Sequence, residues 1–174
     1  MTDRHEGNRI LGSLRTADGT GIVRLEDRFA TDMDDLWSAL TEPRRLARWI
    51  AEVDGDLRPG GEFHRVSADG ESTGRVDVCE PPRRLLVTMR DSDPRPGQPE
   101  QTEIEATLTA DGDGTILVVE ERGLPLPLLP AYGAGVQIHM ENLADYIAGR
   151  ERGDDEARWG ELLPAYTALA DDAS

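Results

Sequence analysis

The sequence predicts an α+β fold in which a curved antiparallel sheet closes on one long helix near its C-terminal end. Three observations carry this. Residues 23–50, VRLEDRFATDMDDLWSALTEPRRLARWI, run as a strand, a capped amphipathic helix and a proline-started second helix. Residues 53–121 are short extended segments separated by turn dipeptides, as a chain of hairpins requires. Residues 131–150 then carry apolar side chains at helical spacing. A sheet cannot bury its apolar face alone, so the long helix is its cover and the two short helices close one end.

Each element has a local reason. Residues 10–16 and 21–29 flank Asp18-Gly19, a hairpin signal. Val23, Leu25 and Phe29 fall on one side of the second segment, with Arg24, Glu26 and Arg28 on the other; Asp27 interrupts the apolar side. Thr31 or Asp32 caps the first helix, and Asp34 and Asp35 put negative charge in its first turn. Met33, Leu36, Trp37 and Leu40 form its inward stripe. Pro43 starts the second helix, with Leu46, Trp49 and Ile50 inward and Arg44, Arg45 and Arg48 toward water.

Strands are expected at 53–57, 62–66, 72–80, 84–90, 102–109 and 115–121, with turns at Pro59-Gly60-Gly61, Asp69-Gly70, Pro81-Pro82 and Asp111-Gly112-Asp113-Gly114. Residues 91–100, acidic and proline-rich, form a long mobile loop. Residues 123–131, GLPLPLLPA, are an apolar loop, either a stiff lid or packed on the core. Val136, Met140, Leu143 and Ile147 make the inner stripe of the long helix, with Ile138, His139 and Tyr146 at its edges. Residues 154–170 read as one more helix, with Trp159, Leu162, Leu163, Tyr166 and Leu169 on or near one face. The expected organisation is a disordered N-terminus (1–8), one domain (9–150) and a helical extension (151–174) that packs on its own domain or on a second copy, leaving monomer and homodimer both open.

Composition excludes several functions. A formal net charge of -16 over 174 residues argues against binding nucleic acid or an anionic lipid surface. No apolar run is long enough to span a bilayer, and MTDRHEGNRI lacks the apolar stretch of a signal peptide. Cys79 is the single cysteine, so there is no disulfide framework, and a reducing cytoplasm fits. All 19 basic residues are arginine, which removes Schiff-base chemistry and a phosphate-loop lysine. The histidines and carboxylates show no metal-ligand spacing, and nothing calls for a cofactor.

A convergent site is sparse in the sequence. Trp37, Trp49, Met89, Tyr132, Met140 and Tyr146, with Val136 and Leu143 of the inner stripe, have the size and polarizability to wall an apolar cavity, or else to pack as ordinary core. His139 lies on the covering helix and has the chemistry for proton exchange near neutrality; the alternative is a helix-edge histidine bonded to backbone or solvent. His64 follows Phe63, so a core Phe63 sends His64 to water. Glu120 and Glu121 face opposite ways, which rules out a convergent pair but leaves one of them partly buried near the strand end. Glu103 and Glu105 share the face opposite the apolar one.

Taken together, Trp37-Ser38-Ala39-Leu40-Thr41-Glu42-Pro43 with Leu46 and Trp49, Asp56-Leu57-Arg58-Pro59-Gly60-Gly61-Glu62-Phe63, Gly74-Arg75-Val76 and Glu80-Pro81-Pro82-Arg83-Arg84-Leu85 resemble bacterial proteins similar to the C-terminal domain of the activator of heat-shock protein 90 ATPase. These belong to the START-like, or SRPBCC, superfamily. The resemblance covers about residues 20–150 and implies the helix-grip fold with a cavity between sheet and long helix. Many relatives open that helix with Gly-Trp-His; here Gly135 is followed by Val136 and Gln137, while His139 and Leu143 remain. The resemblance implies a fold and a cavity and assigns no reaction. The leading expectation is a binder of a small apolar or aromatic molecule without catalysis; a cyclase-like enzyme using His139, with Tyr132 or Tyr146, comes second, and a module that stimulates a chaperone ATPase last.

Overall fold

The computed structural model describes residues 9–68 and 70–172. The expected disorder of residues 1–8, and Asp69 of the second hairpin turn, lie outside the described residues. β1 (Gly12–Ala17) and β2 (Thr20–Phe29) pair through the two-residue turn Asp18-Gly19. Its φ angles of 53° and 80° are the left-handed pair that matches the twist of the flanking strands. α1 (Met33–Thr41) starts at Asp32, whose side chain accepts the Asp35 backbone N–H. Asp32→Ala is therefore expected to lower stability by about 1 kcal/mol in urea unfolding. α2 (Pro43–Trp49) begins on its proline.

β3 (Glu52–Gly55), β4 (Glu62–Ser67), β5 (Gly70–Glu80), β6 (Arg84–Asp91), β7 (Thr102–Asp111) and β8 (Gly114–Leu124) follow. A short 3-10 turn, Leu126–Leu128, leads into α3 (Leu129–Ile147), and α4 (Asp155–Asp172) comes next. The strands form one antiparallel sheet in the order β1-β2-β8-β7-β6-β5-β4-β3. The main core lies where β2, β7 and β8 meet α1, α2 and α3, around Val23, Leu25, Phe29, Leu36, Leu117 and Leu143.

Several expectations need correcting, each because a distant partner overrides a local pattern. Arg45 does not point to water. Its Nε donates to the Tyr146 hydroxyl and its Nη1 to Asp35 Oδ1, both at 2.9 Å, and its guanidinium sits 5.3 Å from the Tyr146 ring centroid. α3 is buried on two faces rather than one. Met140 and Leu143 enter the main core, while Ala134, Gln137, Ile138 and Glu141 are buried as well. Ala134 and Ile138 pack with Leu162 and Tyr166 of α4 in a second cluster. Trp159 stays exposed, while Leu162 and Tyr166 on α4 are fully buried. Leu124 and Leu129 are buried and Leu126 is exposed, so the apolar loop is packed down at both ends.

Gln137 organises the second face. Its Oε1 accepts the Tyr166 hydroxyl at 2.6 Å and the Leu11 N–H at 3.0 Å, and its Nε2 donates to the Arg9 carbonyl at 2.7 Å. One turn on, the Arg158 guanidinium holds the Glu141 carboxylate through Nη2 at 2.7 Å and Nε at 2.9 Å. Tyr166 lies so close to Gly133 and Gly12 that a Cβ would come within 2.5 Å of its ring at the first and 2.6 Å of its hydroxyl at the second. α4 thus docks on α3 of its own chain.

On the convex face, Glu105 lies directly opposite Glu120, a like-charge cross-strand pair. Arg15 bridges to Glu120, while Arg84 and Arg122 bridge to Glu105. Burial pushes the Glu105 carboxyl up, but hydrogen bonds from Arg84 and Arg122 more than offset it and hold the group below its usual range. These groups therefore serve the sheet.

Candidate ligand site on the concave face

The strand register brings distant residues onto one surface, since directly opposed residues share a face. Val23, Glu121, Ile104 and Val87 form one row across β2, β8, β7 and β6. Leu25, Val119, Ala106 and Leu85 form the next, and Cys79 continues it. On the other side of Glu121, Thr102, Met89, Gly74 and Phe63 form a row, and beyond it stand Asp91, Ser72 and Arg65. The concave face is therefore apolar at its centre and polar toward one end.

α3 offers the opposing wall. Tyr132, Val136, His139 and Leu143 follow the i, i+4, i+7, i+11 spacing of one helix face. Leu143 is fully buried, whereas Tyr132, Val136 and His139 are half-buried. Leu85, Val87, Ile104 and Val119 on the sheet are half-buried too, although all four belong to its inward face. Within the sheet α3 lies mainly against β2 and β1, which leaves the β5–β7 part of the concave face less tightly covered. Inward side chains on both layers thus keep partial solvent exposure.

The structure thus brings Tyr132, Val136 and His139 together on one face. Met140 is buried in the main core and Met89 lies on the concave floor. Trp37 is half-buried against the same core from α1. Trp49 is buried, and its indole N–H donates to the Ala39 carbonyl at 2.9 Å, tying α2 to α1. The Nδ1 atom of His139 is shut off from solvent. His64 is exposed 3.5 Å from Glu71, while the Phe63 ring, half-buried, covers the Gly74 backbone, where a Cβ would collide at 2.2 Å.

Glu121 is the buried member of the Glu120-Glu121 pair, with 8 % of its surface exposed. Burial pushes its carboxyl up to about 7; a hydrogen bond offered by Thr102 and the charge of Arg65 pull down, and Asp91 adds to the rise. Burial likewise raises the Tyr132 phenol, with Glu121 and Asp91 reinforcing the shift and Gln98 opposing it. The polar end therefore gathers β4, β6, β7, β8 and α3 around one acid poised near neutrality. Of this end, only a partly buried Glu120 or Glu121 was foreseeable; Arg65, Asp91 and Thr102 became neighbours through strand pairing. Among the described residues, no group of His, Cys, Asp and Glu could hold a metal ion.

A half-open cleft of about 290 Å³ lies near the other end of α3 between Arg48, Trp49, Tyr146 and Arg152. Arg150 and Arg152 in it are bound to Asp145 and Asp155. Tyr146 and Tyr132 are about 21 Å apart along the helix axis, so this is a separate feature.

An antiparallel sheet curved around one long helix, with the short pair α1–α2 closing an end, defines a protein of the START-like, helix-grip class. Within it, the profile described as Activator of Hsp90 ATPase homolog 1-like protein matches residues 30–148, and the chain belongs to that family. Solved structures agree. CalU16 from Micromonospora echinospora is 31 % identical in its crystal form, with a TM-score of 0.75 over 91 % of this chain and 95 % of that one. Its solution structure gives 28 % identity and 0.76 over 98 % and 100 %. DynU16, from the dynemicin biosynthetic locus, is 26 % identical with a TM-score of 0.69, covering 80 % of this chain and 51 % of that one. No curated protein sequence matches the chain. No helix among the described residues is long and apolar enough to cross a membrane.

Proposed function

We propose that the protein binds a small, mostly apolar or aromatic molecule between the concave face and the Tyr132–Val136–His139 side of α3. The observation that carries this is the partial exposure of inward residues on both walls, Val87 and Ile104 on one and Tyr132 and Val136 on the other. Aliphatic floors with a few convergent polar groups are what small-molecule sites require. The likeness to DynU16 favours a biosynthetic small molecule over a protein as the occupant. The single cysteine and acidic surface suit the cytoplasm.

The test is titration calorimetry with a neutral aromatic probe, 1-naphthalenemethanol, against wild type and Val136→Trp. Wild type is expected to bind and to gain about 2.7 kcal/mol of apparent stability at a probe concentration of 100 times Kd. The indole of Val136→Trp is expected to occupy the space and weaken binding by about tenfold or more, with the melting temperature retained. Equal binding by a folded Val136→Trp would move the ligand elsewhere, and absence of binding to wild type would overturn the reading.

A further inference from the structure

We propose that Glu121, with Asp91, Arg65 and Tyr132 around it, is the recognition end of this cavity for a protonated amine carried by an otherwise apolar ligand. The inference rests on the ligand-binding reading above and names the chemistry of its polar end.

Three buried acids are present among the described residues: Glu121, Glu141 and Asp145. Glu141 is ion-paired with Arg158 at 2.7 Å and Asp145 with Arg150 at 3.0 Å. Glu121 differs: the neutral Thr102 hydroxyl offers its hydrogen bond and draws its carboxyl down more than the charge of Arg65 does. A carboxylate so buried is costly, so it holds its proton to near pH 7. An ammonium group arriving from the ligand would supply the missing charge and let the carboxylate ionise.

The balance of charge points the same way. Two carboxyls, Glu121 and Asp91, stand with one guanidinium, Arg65, so a further cation completes the set, whereas a ligand carboxylate would meet two like charges. A neutral hydroxyl gains no charge pairing. The other members of the Glu121 row, Val23, Ile104 and Val87, and Met89 in the next row are apolar and suit the body of the ligand.

Among the described residues, the titratable and charged groups facing Glu121 are Arg65 from β4, Asp91 from β6 and Tyr132 from α3. The adjoining positions on β2 and β7 are Val23, Ile104 and Thr102. His139 lies about two turns further along α3.

The experiment is calorimetry on the full chain with 1-naphthylmethylamine, 1-naphthalenemethanol and 1-naphthoate, using wild type and Glu121→Gln. At about pH 7.5, wild type should prefer the amine over the alcohol by about tenfold or more and bind the carboxylate most weakly. Lowering the pH to about 5.5 should weaken the amine at least about tenfold while leaving the alcohol unchanged, because Glu121 must release a proton to pair. In Glu121→Gln the amine preference should fall below about threefold and its pH dependence should vanish. A residual dependence in that variant would place the effect on His139 or Asp91 and overturn the assignment. A melting temperature at or above that of wild type separates these results from misfolding. Alcohol binding without amine preference overturns this inference and leaves the cavity standing; failure of all three probes overturns both.

Discussion

Replacing Tyr166 with alanine is expected to destabilise the protein by about 3–5 kcal/mol, the range for deleting a fully buried aromatic side chain. Tyr166 has 0 % exposure and seats against Gly133 and Gly12. The change leaves a cavity lined partly by backbone, which cannot collapse to fill it. Tyr166→Phe keeps the ring and removes only the hydroxyl that donates to Gln137. Because Gln137 Oε1 still accepts from Leu11, this milder variant should lose about 1 kcal/mol. Urea unfolding followed by circular dichroism gives both values. A loss under about 1 kcal/mol for the alanine variant would mean that α4 is not part of the cooperative unit.

Glu121→Gln is expected to stabilise the protein increasingly as pH rises, by about 3 kcal/mol at pH 8 and by under about 1 kcal/mol at pH 5. The Glu121 carboxyl stands at about 7 when folded against 4.5 as its ordinary value. A raised acid binds its proton more tightly in the folded state. Stability therefore falls as pH climbs from about 4.5 through about 7 and is flat above. Glutamine carries no such penalty. The lowered carboxyls work in the opposite sense at lower pH. Asp35, held down first by the Thr31 hydroxyl, and Asp77, held down first by that of Thr88, contribute stability that is lost as pH falls through their folded values. Melting temperatures of both proteins from about pH 2.5 to about pH 8.5 separate the two windows; parallel curves would show that Glu121 ionises freely when folded.

Local signals carried the elements well. The Asp18-Gly19 turn, the Asp32 cap, the Pro43 start and the Val23, Leu25, Phe29 stripe are each decided within a few residues, and the structure has all of them. The second face of α3 escaped the same logic. Gln137, Glu141, Asn142 and Asp145 are polar and look like a solvent face, yet each is buried against groups supplied from elsewhere. Arg45 was misplaced for the same reason, since its partners Asp35 and Tyr146 are 10 and 101 positions away.

Sequence alone determined the element order, the alternation within each strand and the family motifs, because turn chemistry, capping and side-chain period are local properties. Tertiary structure decided which alternating residues meet. Arg65, Asp91, Thr102 and Glu121 lie on four different strands, and only their pairing register puts them at one end of the concave face. The same folding removed Glu121 from water by more than the charge of Arg65 could offset, so a carboxyl that is ordinary in the unfolded chain becomes an acid poised near neutrality.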